Sequence, residues 1–261
     1  MKKFIISCNN DRYASCLSRI PAFLGDFERI NITPQTNTMP QPAWFKAEAT
    51  RWALTCAYVQ GITTAMAAEE PVLFFEDDVI FREDFQLQYE ALMTDLPEDW
   101  DMLYLGGQLL AQNMYPIRER IGHPTIKYGR HVHRMHAWMT NVKALERVYM
   151  AWTDPKYPGI CTCDWIAGYL HLQPDFNVYI PTCDWICGQG ENESSLTLHH
   201  EPERWWFYTE PRRTEEQNRL TAYYAAQKAA KEAAEEAARR AAWLEQVEAL
   251  KNSVSTNEVE P

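Results

Sequence analysis

Apolar and polar positions in the first third of the chain form short apolar runs separated by a helical pattern. Residues 3–7 and the continuous run 72–75 predict buried strands, and the period-two alternation of 27–32 predicts another. Residues 44–68 lack proline and are rich in strong helix formers, which predicts a helix that ends before Pro71. An apolar run without alternation, such as 72–75, is typical of a strand covered on both faces.

The middle of the chain continues the same alternation of strands and helices. Residues 102–105, 131–140 and 177–180 predict further strands, and 142–151 predicts a helix between two of them. The segment 108–130 has few periodic signals, and we expect a mobile loop over the site there. The pattern therefore predicts an α/β fold, with a Rossmann-type, mixed but mostly parallel sheet flanked by helices.

The composition changes after Pro211. Residues 215–251 are dominated by Ala, Glu, Lys and Arg, which predicts a long Ala-rich C-terminal helix. We therefore expect an α/β domain over 1–213, a helical extension over 214–251 and a disordered tail over 252–261. The alanine face of the helix packs on the body, pairs with another copy in a homo-oligomer, or stays solvated.

Overall composition indicates a globular protein, with 46% hydrophobic and 23% charged residues. The apolar run after Lys2 and Lys3 is too short for a signal peptide, and no run approaches the roughly 18 apolar residues of a transmembrane segment. Seven cysteines, an odd number at low density, predict reduced thiols and a cytoplasmic protein.

Charge argues against one class of partner. The net charge is -11; the residues from Thr214 onward carry nine acids and six bases, or -3, which leaves -8 for the rest. An acidic body disfavours broad electrostatic capture of nucleic acid and suits a carboxylate site that recruits cations. A local basic groove stays open as an alternative, because one modest cluster of basic residues exists: Arg118, Arg120, Lys127, Arg130 and Arg134.

The strongest chemical signal is the acidic triplet Glu76, Asp77 and Asp78, which directly follows the apolar run 72–75. In open α/β sheets, ligands bind at the carboxyl ends of the strands. Adjacent carboxylates repel one another, so a divalent cation is their natural partner. The alternative is an acidic turn in which Asp78 or the nearby Asp84 caps the following helix.

Several segments carry a resemblance to a known family: Ile5-Ile6-Ser7 with Asn10-Asp11-Arg12, Phe27-Glu28-Arg29-Ile30, Val72 to Ile80, and Leu96-Pro97-Glu98-Asp99-Trp100-Asp101. They resemble glycosyltransferase family 25, the lipooligosaccharide and collagen galactosyltransferases, whose strands end in Glu-Asp-Asp and contain Leu-Pro-x-x-Trp-Asp. The chain departs from the family at Cys56-Ala57-Tyr58, where a Ser-His pair is expected.

This resemblance implies a GT-A-like fold and hexose transfer from a nucleotide-sugar donor, expected to be a UDP-hexose, to a glycan such as lipopolysaccharide core. Asp78, with Glu76 or Asp77, would hold Mn²⁺ (or Mg²⁺) and the donor diphosphate. Asp164 resembles a later family acid, which would act as the general base; the equal alternative is a helix N-cap.

Two further candidates complete the predicted site. Arg12 suits a diphosphate contact because a guanidinium matches phosphate oxygens, although it is also placed as an ordinary surface arginine. His199 or His200 would supply a late metal ligand, and the alternative is a plain surface pair. His131 and His133 are spaced to share one strand face, where one such histidine more often meets a backbone carbonyl.

Other function classes stay open. One is a viral-type DNA glycosyltransferase acting on hydroxymethylated bases, which needs base flipping and a basic groove. Another is a non-catalytic carbohydrate-binding protein that oligomerises through the C-terminal helix.

A five-residue repeat, Thr-Cys-Asp-Trp-Ile at 162–166 and 182–186, has no longer period behind it and is interpreted as chance recurrence.

Overall fold

The computed structural model describes residues 1–112, 114–153, 162–193 and 200–256, with the side chains of all of these except 192–193, 200 and 247–256. The chain divides into two units, Met1–Arg213 and Thr214–Pro261.

Strands and helices alternate along the first unit. The strands are β1 (Lys2–Ile6), β2 (Glu28–Ile30), β3 (Val72–Glu76), β4 (Val79–Phe81), β5 (Met102–Leu109), β6 (Arg118–Glu119), β7 (Ile126–Tyr128), β8 (Val132–Thr140), β9 (Val178–Pro181), β10 (Cys187–Gln189), β11 (Asn192–Glu193) and β12 (His200–Glu201). The helices of this unit are α1 (Asn10–Arg19), α2 (Ala49–Ala68), α3 (Phe85–Asp95), α4 (Leu145–Thr153) and α5 (Cys163–Leu170). Helix α6 (Arg212–Thr256) begins at the end of this unit and forms the second unit.

The main sheet has eight strands in the order β2-β1-β3-β8-β5-β9-β7-β6. β1 is parallel to both β2 and β3, whereas β8 lies antiparallel between β3 and β5. The prediction of a mixed sheet flanked by helices, with a long C-terminal helix, is confirmed. Six of the eight strands run in the same direction and only β7 and β8 of this sheet oppose them, so the expectation of a mostly parallel sheet is also confirmed.

The residues of β3 divide between the two faces of the sheet. Val72 and Phe74 lie in one core with α2, α4 and α5, while Leu73 and Phe75 lie in the other with α1 and α3. All four side chains are fully buried. The apolar run therefore forms a central strand covered on both faces, as its pattern predicts.

Helix α2 packs closely on β3. It begins at Ala49, later than predicted, because Trp44 and Phe45 instead form an aromatic cluster with Trp52, with ring centroids 6.2 and 5.0 Å from its ring. A Cβ at Gly61 would lie 2.4 Å from the Phe74 ring, so the absence of a side chain there permits the close approach of helix and strand.

The segment 108–130 differs from the predicted loop over the site. β5 continues to Leu109, and β6 and β7 form an antiparallel pair that joins the sheet beside β9, with Ile126 fully buried. These strands therefore lie at the edge away from β3. The sequence prediction was wrong because strands of two and three residues are too short to produce a periodic signal.

A buried carboxylate, which we call the Asp184 anchor, fastens the segment 204–209 to the loop before β10. Asp184 is fully buried in a left-handed conformation (φ 77°). Its carboxylate accepts the backbone N–H groups of Trp185 (2.9 Å), Tyr208 (3.2 Å) and Thr209 (2.9 Å), and the Thr209 hydroxyl. These donors stabilise the buried charge of Asp184. Because they come from both segments, the anchor joins two distant parts of the chain.

In the second unit, helix α6 contains ion pairs between residues one helical turn apart, Lys228–Glu232 at 3.8 Å and Lys231–Glu235 at 4.0 Å. The helix continues through Thr256, so the tail predicted from 252 overlaps its last residues, and 257–261 lie outside the described residues. In the described part of the chain no helix is long and apolar enough to cross a membrane. The cysteines there are free thiols, and Cys161 lies outside it.

Candidate active site

The acidic triplet lies where β3 leaves the sheet. Glu76 is the last residue of β3, and Asp77 and Asp78 form the turn into β4, which we call the acidic turn. The Asp77 N–H donates to the Ile6 carbonyl (3.2 Å), and the Gly190 N–H donates to the Asp78 carbonyl (2.6 Å). The turn is therefore fastened through its backbone to the end of β1 and to the residue after β10. The capping alternative is wrong for Asp78, since a strand follows it.

Two side chains from other elements hold the carboxylates of the turn. The Arg12 guanidinium, in the first turn of α1, contacts the Asp77 carboxylate and lies 3.9 Å from Asp78 Oδ2. Gln189 Nε2 donates to Asp78 Oδ2 at 3.1 Å. Arg19 donates to the Asp77 carbonyl at 3.0 Å. The carboxylates of the acidic turn are therefore already paired with a cationic side chain and an amide donor.

Glu76 has a different environment. Tyr58 Oη lies 2.7 Å from Glu76 Oε1 and 2.8 Å from the Met135 carbonyl, although a phenol has only one proton to donate. Burial, the charge of Asp78 and, less strongly, those of Asp77 and Asp164 raise the pKa of Glu76 to about 8, against the Tyr58 hydrogen bond that lowers it. A protonated Glu76 satisfies all three groups, because it donates to Tyr58, which then donates to Met135.

Asp164 lies in the first turn of α5, across from the acidic turn. The N-cap position belongs to Thr162, so the N-cap alternative for Asp164 is wrong; its Oδ1 accepts the Thr162 hydroxyl and the Trp165 N–H (3.0 Å). Its Oδ2 lies 3.7 Å from His133 Nδ1. Burial raises the pKa of Asp164, but His133 and Thr162 outweigh it and lower the pKa to about 2. Asp164 is therefore ionised at neutral pH.

The remaining predicted ligands and caps have the following places. His199 lies outside the described residues, and His200 lies in β12 with an undescribed side chain. Within the described part of the chain, no group of three or more His, Cys, Asp or Glu side chains is arranged to hold a metal ion. Asp84 occupies the N-cap position of α3, but its carboxylate pairs with Arg82 (2.5 Å) and makes no cap hydrogen bond.

Part of the basic cluster considered for DNA is neutralised. Arg120 pairs with Asp99 at 3.1 Å, and Lys127 pairs with Glu119 at 3.2 Å. Both lie at the edge of the sheet away from the acidic turn. A groove of free positive charge next to the carboxylates is therefore not formed by these residues.

Several residues of this site were missed by sequence reasoning. Tyr58 occupies the position at which the chain departs from the family pattern, and that departure was the available signal. His133 was considered only as part of a pair with His131, and Arg134 only as part of the basic cluster. Their contacts depend on how β8 is placed beside β3, which no local pattern predicts.

No family model matches the sequence, and no curated protein matches it. Solved structures with a similar arrangement include a protein from STIV (TM-score 0.38, 11% identity, 74% of this chain and 87% of that chain). Another is a glycosyltransferase involved in the glycosylation of the major capsid of PBCV-1 (TM-score 0.38, 8% identity, 71% and 96%). A third is an active-site mutant of the galactosyltransferase LgtC (TM-score 0.36, 14% identity, 69% and 72%).

Proposed function

We propose that this chain is a divalent-cation-dependent glycosyltransferase that moves a hexose from a nucleotide-sugar donor, a UDP-hexose, to an acceptor hydroxyl. The observation that carries the proposal is the acidic turn: two carboxylates, Asp77 and Asp78, held by Arg12 and Gln189 at the carboxyl end of a buried central strand. This is the edge at which α/β sheets bind nucleotides. The resemblance of the strand sequences to glycosyltransferase family 25 supports the same activity.

The residues of the turn fit a hard divalent cation. Carboxylate oxygens are the donors that Mg²⁺ and Mn²⁺ prefer, and Mg²⁺ is commonly held by one or two carboxylates together with substrate phosphates. Asp78, with Asp77 or Glu76, would hold the ion, and His199 or His200 stays the proposed late ligand. Such an ion neutralises charge on the departing diphosphate. The ion pair between the Arg12 guanidinium and Asp77 is consistent with an acidic turn that attracts positive charge.

The chain's own residues have separate tasks in this proposal. Asp164 accepts a hydrogen bond from the attacking hydroxyl and orients it, since it is ionised at neutral pH. A pKa near 2 makes Asp164 a weak proton acceptor, so its contribution as a general base is smaller than that of a carboxylate with a pKa closer to neutral. Tyr58 fixes the Glu76 carboxyl group and prevents it from rotating away from the turn.

The acceptor is proposed from the family resemblance, as a glycan such as lipopolysaccharide core. A DNA acceptor is less favoured, because Arg120 and Lys127 are paired with carboxylates and the body of the protein is acidic. A non-catalytic carbohydrate-binding protein is the outcome left if no nucleotide binds.

A nucleotide screen by thermal shift tests the proposal. UDP, GDP, CMP and their sugars are added with Mn²⁺ or with chelator to the wild type, to Asp78→Asn and to the control Asp175→Asn, a surface carboxylate paired with Arg147 at 3.0 Å. We expect one nucleotide to stabilise the wild type and the control by roughly 2.7 kcal/mol at 100-fold excess over Kd, only with Mn²⁺, and Asp78→Asn to lose the effect. Absence of stabilisation by every nucleotide would sink the glycosyltransferase proposal.

A further inference from the structure

Two strained residues meet beside the active site. Arg134 has a left-handed backbone (φ 64°) and is the exposed residue of β8, whose other side chains are all buried. Trp206 is also left-handed (φ 49°). A non-glycine residue in this region is strained and persists where the surroundings fix it, often at a ligand site.

The contact between these residues fixes a guanidinium at the surface. Arg134 lies over the Trp206 ring, 5.1 Å from its centroid, and its Nε donates weakly to Gln108 (3.4 Å). Trp206 is held in turn, because its ring packs on the buried His136 (5.8 Å between centroids) and its carbonyl accepts the Trp185 indole N–H (3.1 Å). The stack on a fixed ring orders the arginine without neutralising its charge.

Arg134 is next in the chain to a residue that takes part in holding Glu76. The backbone carbonyl of Met135, the neighbour of Arg134 in the chain, accepts a hydrogen bond from the Tyr58 hydroxyl, which also contacts Glu76 at 2.7 Å. The charge of Arg134 also contributes to the lowered pKa of Asp164. Arg134 therefore lies on β8 between His133, which faces Asp164, and Met135, whose carbonyl meets the Tyr58 hydroxyl that contacts Glu76.

Arg12, by contrast, is engaged in the turn itself, where it contacts the Asp77 carboxylate. We propose that Arg134, stacked on Trp206, is the anion-binding residue of this site and contacts the diphosphate of a nucleoside diphosphate or nucleotide sugar. This inference rests on the proposed function for the identity of the ligand. Its chemistry is that of a planar guanidinium, whose paired N–H groups match phosphate oxygens.

The test is calorimetric titration of the full chain with UDP and, separately, with inorganic pyrophosphate, both in excess Mg²⁺. Arg134→Asn removes the charge and keeps a residue type that tolerates the left-handed backbone. Arg134→Lys keeps the charge but loses the planar fork. Arg147→Gln is the matched control, because Arg147 also stacks on a ring (Phe176, 4.9 Å) and lies on α4. Urea unfolding of each variant confirms that it is folded.

We expect Arg134→Asn to weaken both ligands about 10- to 100-fold, Arg134→Lys to weaken them less, and Arg147→Gln to leave them unchanged. Equal affinity of Arg134→Asn and wild type for both ligands would overturn the assignment while leaving the proposed function intact. Arg134-dependent binding of pyrophosphate without binding of UDP or any other nucleotide would keep the anion site and reject the nucleotide-sugar enzyme. Binding of neither ligand by the wild type would overturn both.

Discussion

The two copies of Thr-Cys-Asp-Trp-Ile begin alike and end in opposite environments. In both, the aspartate accepts the N–H of the following tryptophan, from Trp165 at 3.0 Å and from Trp185 at 2.9 Å. Beyond this bond the copies differ. Trp165 is 44% exposed and its aspartate faces His133, whereas Trp185 and Asp184 are both fully buried.

The difference comes from the donors that the rest of the fold brings to each carboxylate. Asp184 receives the backbone of Tyr208 and Thr209, so its charge is used to fasten the chain. Asp164 keeps one oxygen toward His133, in the region shared with Glu76. An identical pentapeptide therefore forms a structural anchor in one place and a candidate functional group in the other.

The largest expected effect comes from Asp184→Asn. An amide offers one acceptor oxygen and turns its NH₂ group toward backbone N–H donors, so several charge-assisted hydrogen bonds are lost together. We expect the free energy of unfolding in urea to fall by about 3 kcal/mol. Asp164→Asn is the paired control, and an equal loss in both variants would remove the distinction between the two copies.

The tryptophans that follow provide the second comparison. Trp185→Phe leaves a cavity and removes the indole bond to the Trp206 carbonyl, and we expect a loss of about 2 kcal/mol. Trp165→Phe, at a 44% exposed position, is expected to cost less than about 0.5 kcal/mol. Urea unfolding of both variants measures the difference, and a larger loss at Trp165 would contradict it.

Acid should lower the free energy of unfolding through the protonation of His136. Burial lowers the pKa of His136, which packs on Trp206, to about 3. Because the unfolded chain takes up this proton near pH 6.5 and the folded chain only near pH 3, stability is present above pH 6.5 and is lost as pH falls between those values. We expect His136→Gln to reduce the slope of unfolding free energy against pH there by about 1 kcal/mol per pH unit. An unchanged slope would show that His136 is not the titrating group.

Asp164→Asn is expected to cost less than Asp184→Asn, about 1 to 2 kcal/mol at pH 7. Its pKa is lowered from 3.8 to about 2, so the contribution of its charge is present above pH 3.8 and is lost as pH falls toward 2. Unfolding curves of wild type and variant should therefore converge between pH 4 and pH 2, within the window of this shift. A difference that persists at low pH would indicate a packing effect.

Sequence patterns predicted the elements of the site better than the contacts between them. The apolar run before Glu76 indicates a covered strand with acids at its end, because burial leaves a local signature. The direction of β8 leaves no such signature in the sequence. The contact between Tyr58 and Glu76 and the position of Arg134 both depend on where β8 lies, so neither could be predicted. The Gln189–Asp78 hydrogen bond joins residues 111 positions apart, a distance over which residue periodicity carries no information.

The Asp184 anchor also makes the segment that follows it a closed loop. One carboxylate holds Trp185 at the beginning of this loop and Tyr208 and Thr209 at its end. Gln189 and Trp206 lie between these ends, so closing the loop also fixes the side chain that donates to Asp78 and the ring beneath Arg134.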